Sequence, residues 1–183
     1  SLDKVCEHFN LPFQAGDDQV LAAMRRGYTS DDYRRLVERV RSKVSNVSIS
    51  TDLIVGFPGE TEEAFGRSIG LVQEVRFDKV HVAAYSTRPG TIASRTHVDD
   101  VPQQEKKRRL AEIERLQEDI LTNINASLQG TVTQVLVEGW EKGKWSGRNR
   151  NDKLVFFEDE RELLGQLVNV RIEKTSPWSL QGA

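Results

Sequence analysis

The sequence predicts an α/β segment with mainly parallel strands over residues 1–125, followed by a small antiparallel β-barrel over residues 126–183. Two observations point there. Amphipathic helical patterns alternate with β-rich runs up to Gly130, and short alternating runs dominate beyond it. The chain has 183 residues, with 26 Lys+Arg against 28 Asp+Glu, three His, a formal charge of −2 and 37% hydrophobic residues. Such a composition buries a core without disulfide or metal staples. A complete eightfold β/α barrel, typically about 250 residues, does not fit. The single Cys6 excludes an intramolecular disulfide and, with the scattered His8, His81 and His97, builds no cysteine-rich metal framework. Cys6 is expected as a buried apolar thiol. No run approaches the roughly 18 apolar residues of a membrane span and no secretory pattern opens the chain, so a cytoplasmic location without membrane contact is expected.

The elements follow in order. Tyr33, Leu36, Val37, Val40 and Val44 recur at three and four residues, and Thr29 with Asp32 supplies a cap, so residues 30–44 read as helix. Residues 47–55 are rich in β-branched side chains and end in the apolar stretch of a strand covered on both faces. A turn at Gly56, Phe57, Pro58 and Gly59 follows it. Thr61 caps the next helix, which carries Glu62 and Glu63 at its positive end and Phe65, Ile69 and Val72 on its buried stripe. Residues 79–86 read as a second strand. The longest helix starts near Pro102 and carries Leu110, Ile113, Leu116, Ile120, Ile124 and Leu128. Its run Lys106, Lys107, Arg108 and Arg109 reads as a solvated face among Glu105, Glu112 and Glu114. Residues 132–138, 154–157 and 167–173 read as barrel strands, three to five being expected in all.

Two regions carry chemistry on residue type alone. Between Trp140 and Lys153, the cations Lys142, Lys144, Arg148 and Arg150 alternate with Trp140 and Trp145. Cations suit phosphates and aromatic faces suit exposed bases, although the same residues also describe a hairpin whose two indoles close a barrel core. The second region is the strand–turn–helix from Thr51 to Thr61. Its glycines let a ligand approach main chain at the carboxyl end of a parallel strand, as an ordinary βα turn also would. Tyr85 and Arg88 end the following strand, on the same rim.

Four ordered motifs then carry a resemblance. Leu11-Pro12-Phe13-Gln14-Ala15-Gly16-Asp17-Asp18, Met24-Arg25-Arg26-Gly27-Tyr28-Thr29, the run from Thr51 to Thr61, and Tyr85-Ser86-Thr87-Arg88-Pro89-Gly90-Thr91 resemble the radical-SAM methylthiotransferases. The Arg-Gly-Tyr-Thr ending resembles their branch acting on dimethylallyladenosine in tRNA, rather than the ribosomal-protein branch. The segment with Gly147-Arg148-Asn149 and the closing Ser179-Leu180-Gln181-Gly182 is similar to their RNA-binding TRAM domain. The resemblance implies the later part of a radical-SAM barrel plus a TRAM domain. The whole enzyme would use S-adenosylmethionine and two 4Fe–4S clusters to methylthiolate C2 of an isopentenylated adenosine beside the anticodon.

Both sets of cluster cysteines are absent from this chain, so by itself it is expected to bind no cofactor and catalyse nothing. By the same resemblance, Gln14, Arg26, Val55, Gly56 and Phe57 would contact S-adenosylmethionine, Tyr85 and Arg88 the target nucleoside, and Trp140, Lys142, Lys144, Trp145, Arg148 and Arg150 the anticodon arm. Asn10, Ala15 and Asp17 depart from the family pattern, and Glu60 falls one place late for the common radical-SAM glutamate. The expected partners are tRNA and the family's N-terminal domains. A part of a barrel leaves a sheet edge and a face uncovered, which favours self-association. The alternative functions are a non-catalytic RNA-binding module resting on a barrel remnant, or a methylthiotransferase of the threonylcarbamoyl-adenosine or ribosomal-protein branch.

Overall fold

The computed structural model describes residues 4–183. It divides into two compact units, one of Asn10–Ser45 with Ile49–Gln117, the other of Asn46–Ser48, Glu118–Ala183 and the described residues up to Phe9. The elements are β1 (His8–Asn10), α1 (Asp18–Ala23), α2 (Ser30–Lys43), β2 (Ser48–Val55), α3 (Glu62–Val75), β3 (Lys79–Ala84), α4 (Ile92–Thr96) and α5 (Gln103–Ala126), then the strands β4 (Val132–Glu141), β5 (Lys144–Asn149), β6 (Leu154–Phe157), β7 (Leu167–Thr175) and β8 (Leu180–Gly182).

The first three strands form a sheet in the order β1-β2-β3. β2 and β3 are parallel with Asp52 opposite His81 and Ile54 opposite Ala83, and Gln14 extends the pairing through a parallel bridge to Leu53. The predicted caps form: Thr29 and Asp32 close a reciprocal capping box, and the Thr61 side chain accepts from Ala64 N. On one side of the sheet Ile49, Leu53 and Val55 are fully buried, while Phe13, Tyr33 and Phe77 build an aromatic cluster in which Phe13 stacks on Phe77 at 5.6 Å. On the other, Asp52 and Ile54 are half-buried and His81 and Ala83 exposed. β2 is thus covered on both faces at its start, where Ser48 and Ser50 are also buried, and is only half covered on that second face toward its carboxyl end. The apolar end of β2 reflects Ile54 facing a cleft as well as core packing. Leu36, placed on the buried stripe of α2 by its spacing, is also exposed, and Tyr33 and Val37 alone are buried there.

Helix α5 departs most from the expected pattern. Leu110, Leu116 and Ile124 are only half-buried, and the buried stripe passes through Lys106, Arg109, Ile113, Gln117 and Ile120. The solvated-face reading of the basic run is corrected for two of its four members. Arg109 donates to the Glu60 carboxylate at 2.8 Å and to Glu105 at 2.8 Å, while Lys106 donates to Asp99 at 2.5 Å. The Lys106 stem fills the space in front of Gly56, where a Cβ would overlap its Cγ, and Gly56 sits at φ 71°. A long aliphatic stem buries as readily as leucine once its charged end finds a carboxylate. Arg108 stays outside, bound to Glu62, Glu105 and Glu112.

The guanidinium groups of Arg108 and Arg109 hold the Glu105 carboxyl down to about 2, from an ordinary 4.5. Asp32, bound by the Thr29 main chain and hydroxyl and by Arg35, and Asp159, bound by Arg161, are likewise lowered from 3.8 to about 2. A carboxyl depressed in the folded state contributes stability above its unfolded pKa and loses it as pH falls through the folded one. The thermal midpoint is therefore expected to fall steadily between pH 4.5 and about 2, and Glu105→Gln is expected to flatten that decline. An unchanged slope in calorimetry would show that Glu105 is not part of it.

In the other unit, β4-β5-β6-β8-β7 close into a barrel. The strand order is mainly antiparallel as expected, with one parallel pair, β6 against β8. Val135, Val137, Trp145, Val155, Phe157, Val170, Ile172 and Leu180 fill the core. Gly147 lies where a Cβ would strike the main chain of Leu136, so the strands close tightly only because no side chain is present there. Asn125, on the last turn of α5, donates to the carbonyls of Ser176 and Pro177 at 2.8 and 3.0 Å.

Candidate functional site

In the α/β unit, the carboxyl ends of β2 and β3 open onto a cleft of about 490 Å³. Its wall and floor include Arg26, Ile54, Phe57, Tyr85, Arg88 and Ile92. Four of the seven residues expected at a cofactor or nucleoside site thus come together. Each is placed by a local feature. Tyr85 N donates to Val55 O at 2.8 Å, continuing the β2–β3 register. Tyr85 meets Phe57 edge-on at 5.1 Å, and His97 meets Phe57 from another side at 5.7 Å. Arg26 donates to Gln14 Oε1 at 3.1 Å, and Gln14 itself adopts a left-handed backbone at φ 68°. Val55 instead points into the core and is fully buried; it offers only its main chain to this rim. Gly56 turns the chain at a positive φ and donates its N–H to Glu60 Oε2 at 2.5 Å.

Glu60 is buried. Burial pushes its carboxyl up, against the pull of the Gly56 amide and the Arg109 guanidinium. It braces the turn from behind, through the Gly56 N–H and the Arg109 guanidinium. Lys106 was missed by sequence reasoning as a site neighbour. Its Nζ lies 5.2 Å from the centre of the Tyr85 ring, and only its spacing from Arg109, Ile113 and Gln117 signalled burial.

The barrel unit carries the remaining candidates. Trp140 and Trp145 meet edge-on at 4.9 Å, but their exposures differ. Trp140 is 54% exposed and Trp145 6%. Trp145 belongs to the core and donates its indole N–H to Asp159 O at 3.1 Å, so of the two indoles Trp140 alone presents a face to solvent, supported from below. The cations are not loose. Lys142 faces Glu141 at 3.5 Å, Lys144 faces Glu158 at 3.2 Å, and Arg148 faces Asp152 at 3.3 Å and Glu138 at 3.8 Å. Arg150 is held by the Glu7 carboxylate at 2.7 and 2.9 Å and by Val5 O at 2.6 Å. Cys6, in the same segment as Val5 and Glu7, is exposed, which corrects the expectation of a buried thiol. Among the described residues no group of three or more His, Cys, Asp and Glu could hold a metal ion. Among the same residues, no helix is long and apolar enough to cross a membrane.

Comparison with known proteins gives two family matches. Residues 2–72 match the Radical SAM superfamily and residues 126–183 the TRAM domain. These matches give the chain a radical-SAM segment followed by a TRAM domain. The chain is 54% identical to a tRNA-2-methylthio-N(6)-dimethylallyladenosine synthase of Dehalococcoides mccartyi, over 98% of its own length and 43% of the relative. The synthase of Herpetosiphon aurantiacus is 52% identical (99% and 42%) and that of Acetivibrio thermocellus 44% (99% and 38%). The chain is similar along nearly its whole length to synthases of that name, and spans less than half the length of the curated relatives it matches.

Proposed function

We propose that this chain forms the later part of an enzyme that methylthiolates dimethylallyladenosine next to the tRNA anticodon. The observation that carries the reading is the identity of 54% along nearly the whole chain to a synthase so named. The cleft that gathers Arg26, Phe57, Tyr85 and Arg88 supports it. Its aromatic pair and Ile54 give apolar surface for a nucleoside, and its two guanidinium groups suit a carboxylate or phosphate. S-adenosylmethionine would lie along Gln14, Arg26 and the Gly56–Phe57 turn, with Tyr85 and Arg88 toward the target nucleoside. When bound, it would supply the methyl group and, on receiving an electron from a reduced iron–sulfur cluster, the adenosyl radical. The iron–sulfur clusters would be held by the upstream part of such an enzyme, since this chain carries Cys6 as its single cysteine.

A polypeptide joining this chain to the upstream region of a relative is expected to carry iron–sulfur absorbance and to add a methylthio group to isopentenylated tRNA. A product confined to a protein substrate would overturn the tRNA reading. The barrel is proposed to hold the anticodon arm through Trp140, Lys142, Lys144 and Arg148, with Trp145 supporting the platform and Arg150 fixing residues 5–7. For this chain, log K for tRNA is expected to fall with log salt, and Lys144→Gln with Arg148→Gln to make the slope shallower by roughly 0.7 for each phosphate no longer neutralised. An unchanged slope in a filter-binding titration would remove these two cations from the interface.

A further inference from the structure

On the outer surface of the barrel lies a cleft of about 650 Å³, bounded on one side by residues 4–8 and on the other by β4, β5 and the start of β7. It is within the usual range for a site that holds a small organic group, about 300–1,000 Å³. Leu136 and Leu167, opposite each other in the β4–β7 register, form its floor. Both are exposed, at 44% and 61%, as is Val5 at 52% on the facing wall. Exposed leucines facing each other on adjacent barrel strands are not required by the core, which Val135 and Val137 fill from β4 and Val170 from β7. Arg148 stands opposite Leu136 on β5, and Gln134 completes the rim.

Two contacts differ in kind. Arg150 clamps the wall with a bidentate bond to Glu7 at 2.7 and 2.9 Å, which keeps the cleft open at a fixed width. Arg148 donates to the Asp152 carbonyl at 2.9 Å, but its ion pairs are looser, at 3.3 Å to the Asp152 carboxylate and 3.8 Å to Glu138, and its side chain is 41% exposed. An exposed pair of that kind contributes about 0–1 kcal/mol and is easily exchanged for another anion.

We propose that this cleft lodges one unstacked nucleotide of the bound RNA. The base lies on Leu136 and Leu167 beneath Val5, its edge meets the Gln134 amide, and its phosphate takes Arg148 from the two carboxylates. Apolar face, hydrogen-bonding edge and anion are the three parts of a nucleotide, and single-stranded RNA is recognised by splaying bases into such sites. The proposal rests on the reading of the barrel as an RNA-binding domain, and the test separates the two.

The full chain is titrated by fluorescence anisotropy with a stem–loop RNA and with a fully paired duplex of the same length. A second stem–loop carries 2-aminopurine in its loop. The parent chain is expected to bind the stem–loop more tightly and to change the 2-aminopurine emission. Leu167→Asp, at an exposed position that the fold tolerates, is expected to weaken stem–loop binding about tenfold, leave duplex binding unchanged and abolish the emission change. Arg148→Gln is expected to weaken the stem–loop alone by a smaller factor. If the parent binds the stem–loop and Leu167→Asp binds it equally well, the cleft is not a nucleotide site although the RNA reading stands. If the parent binds neither RNA, both fall. If Leu167→Asp instead abolishes dimerisation in sedimentation with RNA binding unaltered, the cleft is an interface between copies of this chain and the proposal is overturned.

Discussion

Replacing Arg109 by methionine is expected to destabilise the α/β unit by about 3–5 kcal/mol, the usual effect of removing one partner from a buried pair. Methionine keeps most of the packing volume, so the loss reads the charge. Arg109 is 4% exposed and Glu60 3%, and the guanidinium bonds both the Glu60 carboxylate and the Glu60 carbonyl, at 2.8 and 3.0 Å. Without it Glu60 keeps only the Gly56 N–H, and Glu60 Oε1 has no partner even in the intact chain. The sign of the pH dependence follows. Burial already pushes the Glu60 carboxyl above its ordinary 4.5, and loss of the guanidinium raises it further. A carboxyl raised in the folded state contributes its stability in full below the unfolded pKa and loses it as pH climbs through the folded one. The deficit against the parent chain is therefore largest at neutral pH and narrows toward pH 4.5. Denaturant melts at both pH values check this. Glu60→Leu combined with Arg109→Met is expected to recover most of the loss, because no charge is then left buried alone. A single variant as stable as the parent at pH 7 would show that the pair is solvated.

The two indoles of the barrel provide the second large contrast. Trp145→Ala is expected to lower barrel stability by about 3–5 kcal/mol, since it removes a large side chain from a core closed on all sides. Its indole N–H bond to Asp159 O would go with it. Trp140→Ala leaves that core intact and loses chiefly an edge-on ring contact, worth about 0.5–1.5 kcal/mol. Its effect is expected in RNA affinity instead, about 1–3 kcal/mol if one base stacks on the exposed face. Thermal melts and anisotropy on the two variants separate the roles. Equal stability losses would mean that Trp140 is as much a core residue as Trp145, and an unchanged affinity for Trp140→Ala would remove it from the RNA surface.

Much of this arrangement was legible because periodicity and capping act locally. The helices begun by Thr29 and Thr61 and the strands they flank follow from side-chain spacing that three-dimensional packing merely accepts. The stripe of α5 was misplaced because its buried positions include Lys106, Arg109 and Gln117, whose polar ends find partners only through folding, at Asp99, Glu60 and the Phe77 carbonyl. Strand β5 has the sequence Lys-Trp-Ser-Gly-Arg-Asn, and its alternation is carried by one indole, one glycine and one asparagine, so charge and aromatic content obscured it. The short helices α1 and α4 have too few turns to show a period. At the cleft, Arg26, Phe57, Tyr85 and Arg88 were named by motif. That Val55 turns inward while Ile54 faces out is a matter of strand parity that the motif does not encode.

Each cation of the barrel's hairpin surface has its own carboxylate at hand, from Glu141 beside Lys142 to Glu158 beside Lys144. Such a surface casts almost no long-range field, so it gives a passing polyelectrolyte little reason to linger. A strand of phosphates gains purchase only by approaching closely enough to displace those acids one at a time. Discrimination then depends on the shape of the contact more than on charge, and residence becomes sensitive to ionic strength only once contact is made.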